Sequence, residues 1–177
     1  MLSQPQLTVL LRREEIAGTV ARLASEINRD YQGKQPLLIG VLKGSFVFMA
    51  DLMRHLDLPL EIEFIRLSSY GSGKESSGEV KVVQGLKTPV KGRDVLVVED
   101  IVDTGCTICF LLDYLKKKKP SSLRLCALTD KSSRRRVPVN IDYLGFAVPD
   151  KFIVGYGLDF NEKFRYLPDI CYLEDEK

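Results

Sequence analysis

Thirteen consecutive residues, Val95 to Thr107 (VLVVEDIVDTGCT), restrict the fold of this chain more than any other stretch. Val95 to Val98 form an unbroken apolar run, as expected of a strand buried on both faces of a parallel sheet. Glu99 and Asp100 follow side by side, then Asp103, Thr104, Gly105 and Thr107. Beyond them Ile108, Leu111, Leu112 and Leu115 recur at helical spacing. The order predicted is buried strand, acidic turn, hydroxyl-rich loop, helix. In an open α/β sheet such a turn lies at the carboxyl end of a strand, where ligands bind.

Each part of the stretch has its own chemistry. Thr104, Gly105 and Thr107 lie where the unpaired N–H groups of a new helix point outward, an arrangement suited to phosphate. Gly105 lets the main chain approach an anion, and the threonine hydroxyls add donors. No Gly-Lys-Ser/Thr follows a long glycine loop, so this is not a Walker P-loop. Taken alone, Thr104 reads best as a helix cap. Two carboxylates beside a phosphate ought to repel it. The conflict goes away if Glu99 and Asp100 face sugar hydroxyls or a divalent cation. Phosphate, sugar and metal together describe a phosphoribosyl compound.

The rest of the composition narrows the field. A chain of 177 residues with 45% hydrophobic and 28% charged side chains has enough apolar material for one compact domain. A formal net charge of +2 argues for neither nucleic acid nor membrane as partner. No apolar run reaches transmembrane length and no signal-peptide pattern opens the chain, so a cytoplasmic location is expected. Cys106, Cys109, Cys126 and Cys171 read as free thiols. The Cys106-x-x-Cys109 pair lacks the second pair that zinc would want. One histidine, His55, read as a surface or helix-end residue, leaves little for histidine-based catalysis.

Along the chain, Ile16, Val20, Leu23, Ile27 and Tyr31 share one helical stripe that ends before Gly33. Leu37–Leu42 reads as a buried strand and Phe46 to Met53 as the helix after it. Leu60–Leu67 alternates as a strand with Ile62, Phe64 and Ile65 partly inward. Ser68–Glu79 is polar and glycine-rich, and Val80–Val83 is a short returning strand. Further strands are expected at Leu123–Leu128, Tyr143–Val148 and Phe152–Tyr156. The pattern gives an α/β fold with a mainly parallel sheet flanked by helices; the last quarter, where strand follows strand, also suits a mixed arrangement.

Four other stretches offer site chemistry. Lys43-Gly44, at the end of a strand and the mouth of a helix, suits an anion. Ser69-Tyr70 heads the glycine-rich loop, with the composition of a lid. Lys131 follows a strand end; its ammonium only donates, so it would favour a base with an exocyclic oxygen over one with an amino group there. In Val148 to Arg165, Phe152 offers a ring for stacking, Asp159 a carboxylate for a metal, and Arg165 a fork of donors. The runs Lys116–Lys119 and Arg134–Arg136 read as solvated faces.

These stretches resemble the type I phosphoribosyltransferases, and most closely the hypoxanthine-guanine phosphoribosyltransferase family. The apolar strand, paired acids and D-T-G-x-T match the family's phosphoribosyl-pyrophosphate signature, and Leu42-Lys43-Gly44, Ser69-Tyr70, T-D-K at Lys131 and D-K-F-x-V-G-Y-x-L-D match the rest. The resemblance runs from about residue 37 to 167. It implies a core at about residues 37–130 and a small purine-binding hood at about 142–177. It also implies a non-proline cis peptide before Lys43. Phosphoribosyl pyrophosphate would be held by Lys43, Gly44, Glu99, Asp100, Thr104, Gly105, Cys106, Thr107 and Arg165. The 6-oxopurine would meet Lys131, Phe152, Ile153 and Asp159, under a lid of Ser69 and Tyr70. Mg²⁺ would be bound by Glu99, Asp100 and Asp159, and Asp103 would take the purine N7 proton. Cys106 occupies a variable position where main-chain N–H groups do the binding. A homodimer or homotetramer is implied. The alternatives are a xanthine-specific relative and an RNA-binding regulator built on the same fold and served by the basic runs.

Overall fold

The computed structural model describes residues 6–69 and 80–174. In chain order its elements are β1 (Leu7–Leu11), α1 (Arg13–Asp30), β2 (Leu37–Leu42), α2 (Phe46–Arg54), β3 (Glu61–Ser69) and β4 (Val80–Gln84). Then come β5 (Asp94–Val102), α3 (Cys106–Lys116), β6 (Ser122–Asp130), β7 (Tyr143–Ala147), β8 (Ile153–Val154) and β9 (Ile170–Leu173). Six strands form one sheet in the order β4-β3-β2-β5-β6-β7, parallel except at β3–β4. Three more form a small antiparallel sheet, β1-β9-β8.

The two faces of the large sheet are separated by the period-2 alternation of its strands. Leu96 and Val98 of β5 pack with the buried stripe of α1 and with Phe48, Met49 and Leu52 of α2. Val95 and Val97 turn to the other face, onto Ile108, Leu111 and Leu115 of α3. The five residues of the α1 stripe predicted from spacing are all buried. From β2 the chain steps through α2 to β3 on one side, and from β5 through α3 to β6 on the other. β2 and β5 are adjacent and parallel, so the direction of winding reverses between them. Their carboxyl ends therefore flank the crevice in which open α/β sheets take ligands. Lys43-Gly44 and Glu99 to Thr107 lie at those ends.

The structure corrects several expectations. β5 runs on to Val102, so Glu99 and Asp100 sit within the strand and not in a turn. The alternation changes phase there: Ile101 packs with the α1–α2 side and Val102 with the α3 side. Ile62, near the amino end of β3, is 43% exposed. The stretch at 143–147 pairs parallel with β6 and belongs to the large sheet, not to the hood. The last strand of the run is shortened to Ile153–Val154, since Gly155 turns away at φ 97°. The small sheet instead takes its outer strand from the N-terminus: Leu7 pairs with Leu173 and Val9 with Cys171. Neither β1 nor β9 has an alternating pattern long enough to declare itself, and each is stabilised by the other.

Glu63 ties β3 to the segment before β5. Its carboxylate accepts from the N–H groups of Lys87 and Thr88 and from the Thr88 hydroxyl, at 3.1–3.2 Å. Burial alone would raise its pKa, but the donors of Thr88, Phe64 and Lys87 outweigh this and hold it below the usual glutamate value. A depressed carboxylate contributes stability above its unfolded pKa and loses it as pH falls through the folded one. Glu63→Gln is expected to cost about 1–3 kcal/mol at pH 7, roughly 3–10 °C in Tm, with the gap to the parent closing below about pH 4. Thermal melts of both proteins at pH 7 and pH 3.5 check this.

Candidate active site

The centre of the site is the carboxyl end of β5 and the loop into α3. Gly105 precedes α3 in the left-handed conformation, φ 86°, which glycine adopts without steric cost. A Cβ there would also meet the Val137 carbonyl oxygen at 2.7 Å. The loop is braced from behind by the segment after β6, whose Arg136 and Val137 N–H groups both donate to the Thr104 carbonyl. The N–H of Cys106 turns toward the Thr104 Oγ1 at 3.4 Å. A cavity of about 220 Å³ is bounded by Glu99, Asp103, Thr104, Gly105 and Thr107, together with Leu42 of β2. Cys106 is half-buried with a free thiol at the first position of α3. Residues 104–107, expected to take a phosphate, thus line a concavity at the amino end of α3.

Glu99 and Asp100 are almost wholly buried. Burial, and then the neighbouring Asp100 carboxylate, push the Glu99 carboxyl well above the usual carboxylate range. The Asp100 main chain is fixed by the buried Thr129, whose hydroxyl donates to its carbonyl at 2.7 Å. Opposite, the Leu42–Lys43 peptide is cis, as the resemblance implies. Gly44 lies directly against the Asp100 carboxylate, and its own carbonyl lies against Gly157. Strand β2, strand β5 and the loop after β8 therefore meet at one point.

A second cavity, of about 330 Å³, is linked to the first by the pair of Asp103, which lines one, with Arg134, which lines the other. It is bounded by Lys131, Arg134, Asp150 and Phe152, with Tyr172 of β9 behind. Lys131 is 4% exposed, and its N–H donates to the Val102 carbonyl, which holds it against the end of β5. Phe152 is 50% exposed, too open for a core residue, and its ring meets Phe160 edge-on at 5.4 Å. Asp103 stands at the junction. Its Oδ1 is buried without a hydrogen bond, 3.6 Å from the Arg134 Nε, and Arg134 also reaches Asp150 at 4.0 Å.

Other expected residues are placed differently. Ile153 has its side chain in the α1–α2 core and does not face the base cavity. Asp159 has both oxygens engaged, one with Arg165 at 2.8 Å and one with the Glu162 N–H at 2.8 Å. Arg165 lines an apolar groove with Phe46, Tyr156 and Tyr166, while its guanidinium is held by the Gly157 carbonyl, Asp159 and Glu162 beside the Lys43-Gly44 loop. Ser69 ends β3, and Tyr70 lies outside the described residues. The arginine run is not a solvated face throughout: Arg135 is largely buried and paired with Asp130, while Arg134 turns to Asp103. A signal for Arg134 was available. Ser132–Arg134 is a 3₁₀ turn, in which residues three apart share a side, so Arg134 returns to the side of Lys131. Nothing in the sequence marked Glu162, which joins the site through Lys43.

A model of the phosphoribosyl transferase domain family matches residues 7–161, and fold and site together are of that class. Hypoxanthine-guanine phosphoribosyltransferases of Bacillus subtilis and Aquifex aeolicus are each 47% identical to this chain, over 94% and 96% of it and 92% and 96% of their own lengths. A crystal structure of a hypoxanthine-guanine phosphoribosyltransferase from Bacillus anthracis superimposes with TM-score 0.91 at 44% identity, covering 97% of this chain and 100% of that one. The chain also matches the bifunctional protein TilS/HprT of Listeria monocytogenes, 46% identical over 95% of this chain, and spans about a quarter (26%) of that relative's length. The chain belongs to the phosphoribosyltransferase family, among the hypoxanthine-guanine phosphoribosyltransferases.

Proposed function

We propose that this chain is a purine-salvage enzyme. It transfers the phosphoribosyl group of 5-phosphoribosyl 1-pyrophosphate to hypoxanthine or guanine, giving IMP or GMP and pyrophosphate. The observation that carries the reading is the junction at Asp103. The loop proposed to take phosphate lies on one side of it, and on the other a cavity with a buried donor-only lysine and an open aromatic ring.

The 5′-phosphate is taken by the main chain of Thr104 to Thr107, with the helix dipole of α3 favouring its charge. Asp100 and Glu99 hold the ribose hydroxyls, whose O–H groups donate to their oxygens. The purine lies against Phe152 with its exocyclic oxygen on the Lys131 ammonium. Its N9 attacks the ribose C1, the bond to pyrophosphate breaks, and the N7 proton passes to Asp103. Lys43, Gly44 and Arg165 face the departing pyrophosphate.

Among the described residues no cluster of three or more His, Cys, Asp or Glu side chains is assembled. Mg²⁺ commonly takes one or two carboxylates and completes its shell with substrate oxygens and water. Asp100, with Glu99 beside it, supplies those carboxylates; Asp159, already engaged by Arg165, would have to give up that partner. When bound, the ion would offset charge on the departing pyrophosphate. Among the described residues no helix is long and apolar enough to cross a membrane. A cytoplasmic homodimer or homotetramer is part of the same reading. The RNA-regulator alternative loses its basis in the arginine run, two of whose members are spent on Asp103 and Asp130.

The test is an assay with phosphoribosyl pyrophosphate, Mg²⁺ and each of hypoxanthine, guanine, xanthine, adenine and uracil, following pyrophosphate release. Turnover is expected with hypoxanthine or guanine and not with adenine, whose amino group meets a donor at Lys131. Adenine turnover, or none with any base, would reject the proposal.

A further inference from the structure

The two cations that face the proposed pyrophosphate position are both paired with anions of the chain's own. Lys43 Nζ lies 2.9 Å from Glu162 Oε2, and Arg165 Nη2 lies 3.4 Å from the same oxygen. Arg165 also pairs with Asp159 at 2.8 Å and donates to the Gly157 carbonyl at 2.7 Å, while its Nε is buried without a partner. One glutamate oxygen thus stands between the two cations, as a pyrophosphate oxygen would.

The backbone that presents this carboxylate is unusual. Phe160 and Lys163 exchange both main-chain hydrogen bonds, at 3.1 and 3.0 Å, which closes a two-residue turn over Asn161 and Glu162. Both residues have positive φ, 52° and 62°. Such turns favour Asn, Asp or Gly at their centre, and a glutamate in this region of φ is uncommon. Asn161 conforms; Glu162 does not. The Lys43 ammonium, and after it Arg165, hold the Glu162 carboxyl below the usual range, so it is charged at neutral pH.

We infer that Glu162 is an internal counter-ion that competes with pyrophosphate for Lys43 and Arg165. It surrenders both cations when the anion binds and recovers them as the anion leaves, which weakens product binding and speeds release. The inference rests on the reading that Lys43 and Arg165 meet the pyrophosphate. Strain at a left-handed position is tolerated where function demands a particular side chain there.

The experiment is titration calorimetry of inorganic pyrophosphate in Mg²⁺ buffer against the parent, Glu162→Gln, Glu162→Asn and Lys43→Met. Removing the carboxylate is expected to lower the pyrophosphate Kd about two- to tenfold, the scale of two exposed ion pairs. IMP affinity should not move. Asn suits the positive φ, so Glu162→Asn should match or exceed the parent in Tm while still tightening pyrophosphate. Lys43→Met should weaken pyrophosphate binding. If both Glu162 variants leave the Kd unchanged or raise it while Lys43→Met weakens binding, competition is overturned and the reading of Lys43 stands. If Lys43→Met has no effect, that reading falls, and the inference with it.

Discussion

Asp103→Asn is expected to lower kcat by about 10²–10⁴-fold, the usual contribution of a positioned acid–base group. The substitution keeps shape and volume and removes only the ability to take a proton. Asp103 stands where the phosphate loop and the base cavity meet, with Oδ1 buried, unbonded and 3.6 Å from Arg134. An acceptor that makes no hydrogen bond, with only a 3.6 Å ion pair to Arg134 beside it, can receive the N7 proton of a purine. The KM for phosphoribosyl pyrophosphate should change little, because an interaction made as the proton moves affects turnover and not ground-state binding. Steady-state kinetics with both substrates varied provide the check. Near-parental kcat would remove Asp103 from the role of proton acceptor, and a large rise in that KM with kcat intact would make it a binding residue.

Gly44→Ala should be almost as damaging, for a steric reason. A Cβ at position 44 would overlap the carboxylate of Asp100. Asp100 cannot step aside with its backbone, since β5 pairs with β6 at Glu99 and Ile101 on either side of it and Thr129 bonds its carbonyl. Retreat of the Lys43-Gly44 loop is also blocked, as the Gly44 carbonyl already lies against Gly157. What can yield is the Asp100 side chain, the group proposed to hold the ribose. Displacing a positioning group by about 1 Å can cost on the order of 10²-fold in rate. A fall of that size in kcat/KM for phosphoribosyl pyrophosphate, with far-UV circular dichroism unchanged, is the expected outcome. A fully active Gly44→Ala enzyme would mean that Asp100 does not act from its observed position.

The legibility of this site in the sequence was uneven, and the reason differs from residue to residue. The loop proposed to take phosphate could be placed from the sequence because its geometry is local: Gly105 and the threonines lie at the start of their own helix. Lys131 could be read from its chemistry, since an ammonium only donates wherever it points. Where the Ile153 side chain and the arginine run point is not legible in the sequence, because burial decides both. Ile153 turns into the α1–α2 core, and Arg135 into a pair with Asp130 behind the phosphate loop. Asp159 reads from the sequence as a carboxylate for a metal, but its partner Arg165 comes round only when the turn at Asn161-Glu162 closes.

By itself the sequence determined the central β5–α3 unit, the apolar stripe of α1, most strands of the parallel sheet and the kind of ligand such a sheet would hold. Those features follow from periodicity and from residue types a few positions apart, which one stretch of chain carries complete. Tertiary structure alone decided that the first strand would complete the C-terminal sheet, and that Gly44 would press on Asp100. It also decided that a glutamate from the last turn would sit between Lys43 and Arg165. Each of these joins segments tens of residues apart, and the contact energy that selects them exists only once the sheet has brought the segments together.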